Sequence, residues 1–466
     1  MDTIAEVRIW NKLIGAVAWY DNMGAVFEYD KGFLKYDLDL APLMMPVNFI
    51  ATNSPRFRFN NLPKETFDGL PGLLADSLPD KFGNAVINQW LLSMGRDPGS
   101  FNAVERLCYT GKRGMGAIEY YPVLNRDFDD SSKVNITELV DLANKVLNNR
   151  TNFKTDFSYD SKNAMLDILR VATSAGGARP KAIIAINDTT GEIRSGQVPA
   201  PEGFSHWLLK FDGVSDGSLG DPKGYSRIEY AYHLMAKDSG INMTECRLLE
   251  EGDRAHFLTR RFDRIGNEKL HTQTLCALSH YDYRDSYSYS YNHVFQVMRK
   301  LSLAYPEKDQ MLRRMVFNIV ARNPDDHTKN ISFIMDKTGK WSLSPAYDIS
   351  YSFNPNINWT YEHQLSINSK RKDFNYNDIA TIARQVEYKN VKEIVEQVCE
   401  VVSRWPEYAL KAGIRKELIT YIGNTHLINL LNNNKNMILP DKPKDNVKPP
   451  IKDIPYKSNS IKNKGL

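Results

Sequence analysis

The chain has 466 residues, of which 42% are hydrophobic, 11% aromatic and 25% charged; this excludes disorder over most of its length and exceeds what one hydrophobic core usually serves. The formal net charge of +4 is concentrated at the carboxyl end, where residues 431–466 carry eight Lys against three Asp, putting +5 there and leaving −1 for the rest. That remainder is not the strongly basic domain that non-specific nucleic-acid binding requires, so any DNA contact should be local.

The amino terminus, MDTIAEVRIW, has acidic residues where a signal peptide needs basic ones, and no stretch approaches the roughly 20 apolar residues of a membrane span. A cytoplasmic location is expected, without membrane partners. From Glu6 to Leu40, short runs of Val, Ile, Phe and Tyr are punctuated by Asn11-Lys12, Asp21-Asn-Met-Gly24 and Asp30-Lys-Gly32, which predicts an antiparallel meander. Helical periodicity follows over Lys81 to Met94, and Arg113-Gly-Met-Gly-Ala-Ile-Glu119 returns to a glycine-punctuated strand. A boundary is expected near residue 125. Residues 126 to 160 are polar around one amphipathic helix, Ile136 to Asn148. Cys108, Cys246, Cys276 and Cys399 show no C-x-x-C spacing and read as buried thiols.

Ser174-Ala-Gly176-Gly177-Ala178-Arg179-Pro180-Lys181 lies between two apolar, strand-like runs, Leu166 to Ala172 and Ala182 to Ile186. Glycines permit close approach to the backbone, whose N–H groups can cradle phosphate, with Lys181 or Arg179 adding positive charge. The segment matches neither Walker A nor G-x-G-x-x-G, and a plain hairpin turn is the competing reading. Next, His206-Trp-Leu-Leu-Lys210 reads as a strand ending in a Lys, and Ser226-Arg-Ile-Glu229 opens a helix. Lys210 and Glu229 could form the ion pair that orders a kinase amino-terminal lobe; alternatively, Ser226-x-x-Glu229 is a capping box. Phe257 to Arg264 reads as a strand between lobes whose backbone could hold an adenine, or as a basic patch on an exposed edge strand.

The strongest local signal is Asn323-Pro-Asp325-Asp326-His327-Thr328-Lys329-Asn330, with an Asp five residues before an Asn. In a kinase catalytic loop that Asp accepts the substrate hydroxyl proton and the Asn helps hold magnesium, though a solvated turn has the same composition. Ile331 to Asp336 and Trp341 to Ala346 then predict a hairpin centred near Gly339. Asn330 and Asp348 each lie nine residues from that centre, so pairing would return two oxygen ligands to one end, enough for a Mg²⁺ otherwise held by phosphates. Past residue 430 the Asn, Lys and five prolines predict a disordered tail.

In this order, the glycine loop, strand Lys, helix Glu, R-F-D-R, D-x-H-x-K-N and P-A-Y-D resemble the HipA family of kinase toxins from about residue 6 to residue 425. V-R-I-W-N-K-L-I-G and R-G-M-G-A-I-E are similar to that family's leading module. The resemblance implies an α/β (α+β), bilobed protein-kinase-like fold. Its expected parts are a β-rich module (1–125), a kinase N-lobe (126–265), a largely helical C-lobe (266–430) and the tail (431–466). It also implies a serine/threonine kinase using ATP and Mg²⁺, with Asp325 as catalytic base and Asn330 and Asp348 as metal ligands. Gly176, Gly177, Ala178, Arg179, Lys181 and Lys210 would contact the phosphates, with Glu229 supporting Lys210. His327 would border the nucleotide, while Arg260 and Phe262 offer backbone to the adenine. Ser174 falls on the family's inactivating autophosphorylation site, where added negative charge would repel ATP. Arg179 replaces a frequent Gln, and Pro180 removes a backbone donor.

The implied partners are a helix-turn-helix antitoxin of HipB type, operator DNA reached mainly through it, and a protein substrate such as an aminoacyl-tRNA synthetase. Two other functions compete: a nucleotide-binding corepressor with little catalysis, and a kinase for a lipid or small molecule.

Overall fold

The computed structural model describes residues 3–50, 54–124, 131–148, 168, 169, 171, 179–214, 224–355 and 358–431. The expected boundary near residue 125, most of the glycine loop (Ser174, Gly176, Gly177 and Ala178) and nearly all of the tail lie outside them. Among the described residues, no helix is long and apolar enough to cross a membrane.

The meander is present as β1 (Thr3–Ile9), β2 (Lys12–Tyr20) and β3 (Gly24–Tyr29). Along β1, Ala5, Val7 and Ile9 are fully buried while Ile4 and Glu6 face out, the period of two that a half-buried strand demands. Its first turn falls at Trp10 and Asn11, both at positive φ (47° and 64°), the conformation of a tight two-residue hairpin. β4 (Arg56–Phe57) and β5 (Ile118–Tyr121) complete the sheet in the order β4-β3-β2-β1-β5. Between them run α1 (Lys81–Ser93), capped by Asp80, and α2 (Ala103–Thr110), opened by a capping box of Asn102 and Glu105.

α3 spans Ile136–Asn148, where the amphipathic pattern predicts it. A second antiparallel sheet follows, built from β6 (Lys181–Asn187), β7 (Ile193–Ser195), β8 (Phe204–Lys210), β9 (Cys246–Glu251) and β10 (Arg254–Arg260) in the order β7-β6-β8-β10-β9, with α4 (Tyr225–Asp238) inserted between β8 and β9. Two expectations are corrected in this region. Ile168, Leu169 and Val171, read as part of a strand, are helical, and their spacing buries all three in one core with β6 and β8. β10 stops at Arg260 and lies between β8 and β9, so it is neither an edge strand nor continuous to Arg264.

The carboxyl half is helical around a three-stranded sheet. It contains β11 (Arg264–Ile265), β12 (Glu268–Lys269), β13 (His271–Thr274), α5 (Leu275–Ser279), α6 (Tyr291–Lys300), α7 (Tyr305–Val320), β14 (Ser332–Met335), β15 (Trp341–Leu343), α8 (Tyr376–Gln385), α9 (Val391–Ser403), α10 (Trp405–Lys411) and α11 (Lys416–Gly423). The predicted hairpin is β14–β15, with Phe333 opposite Leu343 and Met335 opposite Trp341. All four cysteines are free and buried.

Three apolar cores hold these layers. Phe82, Val86, Ile87 and Leu91 of α1 share a core with α3 and with Trp207 and Leu209 of β8. The leading module therefore packs into the N-lobe as well as on itself. It also reaches the carboxyl half, where Asp76 accepts from the Thr274 amide (2.7 Å) and hydroxyl (2.9 Å), and Gly72 donates its amide to His280 Nε2 at 2.9 Å.

R-F-D-R, read from sequence as a surface or adenine-binding feature, is largely structural. Asp263, fully buried, accepts from Arg261 Nε and Nη2 (2.8 and 2.7 Å), from Arg264 Nη1 (2.7 Å) and from the Gly116 amide (2.7 Å). Burial alone would raise its pKa; the Arg261 and Arg264 guanidiniums outweigh this and hold it well below the usual carboxylate range. Because that pKa is lowered on folding, the stabilisation is complete above the ordinary carboxylate range and is lost as pH falls through and below it. Asp263→Asn, which strands two buried guanidiniums, should cost about 3–5 kcal/mol in urea unfolding at neutral pH. A loss under about 1 kcal/mol would contradict this account of the motif.

Candidate active site

Lys210 ends β8 directly opposite Lys181 of β6, so the two ammonium side chains rise on the same face of neighbouring strands. Such a pair needs carboxylates. Lys210 Nζ donates to Glu229 Oε1 of α4 and to Asp348 Oδ1, which follows β15. Glu229 is thereby assigned: the N-cap of α4 is Gly224, with no side-chain cap, so the capping-box alternative is not what forms. The Glu229 side chain is only 4% exposed, and burial raises its pKa against the opposing pull of Lys210.

Burial would also raise the pKa of Asp348, but Lys210 and then Lys181 overcome it and bring it down to about 2. Burial would lower that of Lys210, yet Asp348 and Glu229 raise it above the ordinary lysine range. Asp348 sits at φ 52°, a left-handed conformation a non-glycine residue adopts at some cost and that is concentrated at functional sites.

The loop after α7 is pinned from beneath by a residue the sequence reading passed over. Asp326 is buried and accepts from the Gln364 amide (2.8 Å), the Leu365 amide (3.3 Å) and the Tyr291 hydroxyl (2.9 Å), with His363 Nδ1 at 2.8 Å. From Tyr291 a chain of bonds runs through Asn318 and Asn323 to Ser352, whose hydroxyl accepts the Asp325 amide at 3.2 Å. Asp325 is turned the other way, its side chain 34% exposed. Desolvation raises its pKa, and His327, with Nε2 at 3.7 Å, opposes that rise.

Asn330 donates its side-chain amide to the Asp325 carbonyl at 2.8 Å, leaving its oxygen as the atom able to face a cation. Asp325, Asn330 and Asp348 line one small cavity, so the hairpin brings the expected ligands together. A carboxylate and an amide oxygen suit a hard cation that takes its other ligands from substrate and water. The register is one residue off the expected centre, and Asp348 reaches the site from an irregular segment beyond β15.

The described end of the glycine loop lies within electrostatic reach of these charges. Arg179 lies over the Tyr225 ring, 3.4 Å from its centroid; burial lowers its pKa, against Tyr225, Glu229 and Asp212. Lys181 is buried. Phe262 stacks on Tyr347, with ring centroids 5.7 Å apart, immediately before Asp348. Arg260 departs from the expectation in part: its side chain is 55% exposed beside Glu245, and its amide already donates to the Glu245 carbonyl at 2.9 Å. Any contact it made with a base would use its carbonyl. Among the described residues no group of three or more His, Cys, Asp or Glu is placed to hold a metal.

Residues 5–121 match the HipA N-terminal domain and residues 173–405 the HipA-like C-terminal domain. The chain belongs to the HipA family. Its structure is similar to that of HipA from Shewanella oneidensis MR-1, solved in a complex with HipB and operator DNA, with a TM-score of 0.61 at 16% identity over 90% of this chain and 95% of that one. The Helicobacter pylori proinflammatory kinase CtkA also matches, at 12% identity over 48% of this chain and 89% of that one, with a TM-score of 0.32. The chain thus has the HipA-type fold, with a β-rich leading module.

Replacing Lys210 by Met would leave Glu229 and Asp348 facing one another. The Asp348 pKa should then rise from about 2 to above the ordinary carboxylate value of about 4, read by carbon NMR titration of the labelled carboxyl. A value still near 2 would show that Lys181 alone sets it.

Proposed function

We propose that this HipA-family chain is an ATP- and Mg²⁺-dependent serine/threonine protein kinase, the toxin of a toxin–antitoxin pair. The observation that carries this reading is the sharing of Lys210 between Glu229 and Asp348, the latter lining one cavity with Asp325 and Asn330. A kinase cleft needs that arrangement: a cation for the phosphates, oxygens for a metal, and an outward carboxylate for the acceptor.

Asp325 would take the proton of the substrate hydroxyl as its oxygen attacks the γ-phosphorus and the bond from that phosphorus to the β,γ-bridging oxygen breaks, with ADP as the leaving group. Its outward, one-third-exposed carboxylate and its clamped backbone suit that task. Lys210, Lys181 and Arg179 would neutralise phosphate oxygens, and Gly176, Gly177 and Ala178 would lend backbone amides. Phe262 and Arg260 border the adenine side, and His327 the nucleotide edge. The Asn330 oxygen and Asp348 would hold Mg²⁺, which would supply positive charge to offset that developing on the transferred phosphoryl group.

Membership of the family, and the HipB–operator complex in which the Shewanella relative was solved, support pairing with a HipB-type antitoxin and access to operator DNA through it. The acceptor would be a Ser or Thr of a translation protein such as an aminoacyl-tRNA synthetase. Phosphorylation of Ser174, opening the glycine loop, would silence the enzyme by repelling ATP. The chain would act in the cytoplasm.

Asp325→Asn removes the proton acceptor while keeping its size, so transfer of labelled γ-phosphate to a lysate protein should fall about 10²- to 10⁴-fold. Full transfer by that variant would refute the assignment. A folded wild-type chain that binds ATP yet transfers nothing, with lipid present or absent, would favour the nucleotide-binding corepressor.

A further inference from the structure

Asp80 belongs to the leading module, far in sequence from the cleft, yet its carboxylate ends beside it. The two oxygens do different things. Oδ1 accepts the Gly83 amide at 2.6 Å and caps α1. Oδ2 is buried without a hydrogen bond and lies 4.0 Å from Lys181 Nζ, the two side chains being 1% and 3% exposed.

Capping alone does not explain a charge at this place. Asn, Ser or Thr would cap equally well, and an ionised carboxylate is costly to bury unless a cation faces it. The need arises on the other side. Lys181 stands opposite Lys210 in the sheet, and Lys210 already holds Glu229 and Asp348. Burial lowers the pKa of Lys181, and Asp80 leads the charges that oppose this, ahead of Asp348 and Glu229. Burial in turn pushes Asp80 up to about 6, with Lys181 foremost in resisting it.

We propose that Asp80 is a positioning residue of the nucleotide site: its buried carboxylate, 4.0 Å from the Lys181 ammonium, holds that group toward the place of the ATP phosphates, so that the leading module completes the pocket. The proposal rests on the kinase reading above and adds that the module takes part in binding nucleotide. This accords with α1, which Asp80 caps, being buried against the same sheet that carries both lysines.

The test is ATP affinity by calorimetry on the full chain as wild type, Asp80→Asn, Lys181→Met and the double variant, with melting temperatures alongside. Asn keeps the cap and removes the charge. Asp80→Asn should weaken ATP binding roughly 10-fold, raise the KM for ATP with little change in kcat, and add nothing in the Lys181→Met background. Wild-type affinity in Asp80→Asn, or losses that multiply in the double variant, would overturn the proposal while leaving the kinase reading intact. Unfolding of both Asp80→Asn and Asp80→Ser, which each retain a capping group, would assign the carboxylate to stability and overturn it too. A wild-type chain that binds no ATP would bring down both readings together.

Discussion

One ammonium group, that of Lys210, is held by carboxylates from two parts of the molecule. Glu229 comes from the helix of the upper sheet and Asp348 from the segment that follows the β14–β15 hairpin of the helical half. Burial makes the arrangement demanding, since one cation must serve two desolvated anions and losing it would leave both unpaired. The left-handed backbone of Asp348, the position of α4 and the ending of β8 at a lysine all serve that meeting. Apart from Asp325, the charged groups of the cleft sit where this pairing leaves room for them.

Around it, the leading module acts as a brace between lobes more than as an appendage. Asp263 fastens the hinge to Gly116, Asp76 holds Thr274, and Asp80 stands beside Lys181. Asp263 and Asp80 are buried and Asp76 is half-buried, all at contacts between units, where a carboxylate that finds donors or a cation fixes one arrangement among many that apolar packing alone would tolerate. Beneath the loop after α7, Asp326 plays the same part, satisfied by two amides, a tyrosine and a histidine.

Much of this was legible in the sequence wherever spacing along one element sets geometry. The meander, the helix at Ile136–Asn148, the β14–β15 hairpin and the Lys210–Glu229 pair follow from local period and from two elements adjacent in the chain. What escaped depends on contacts far apart in sequence. R-F-D-R could be read either as a strand between lobes or as an exposed edge because nothing local shows that Gly114 and Gly116 will cover it. Asp80 drew no reading from the sequence: it caps α1, and its second oxygen meets a lysine that only the tertiary fold brings near. Ile168, Leu169 and Val171 were read as strand because a short apolar run has no decisive period. Asp326 was hidden by its neighbour, since two consecutive Asp residues give no sign of which turns inward.

The most direct test is a crystal structure of the full chain with Mg²⁺ and a non-hydrolysable ATP analogue. The account predicts a cation between the Asn330 side-chain oxygen and Asp348, Lys210 still bonded to Glu229 but moved from Asp348 onto phosphate oxygens, and the γ-phosphate directed toward Asp325. A nucleotide bound elsewhere, or a cleft in which Lys210 keeps Asp348 and no cation takes its place, would contradict it.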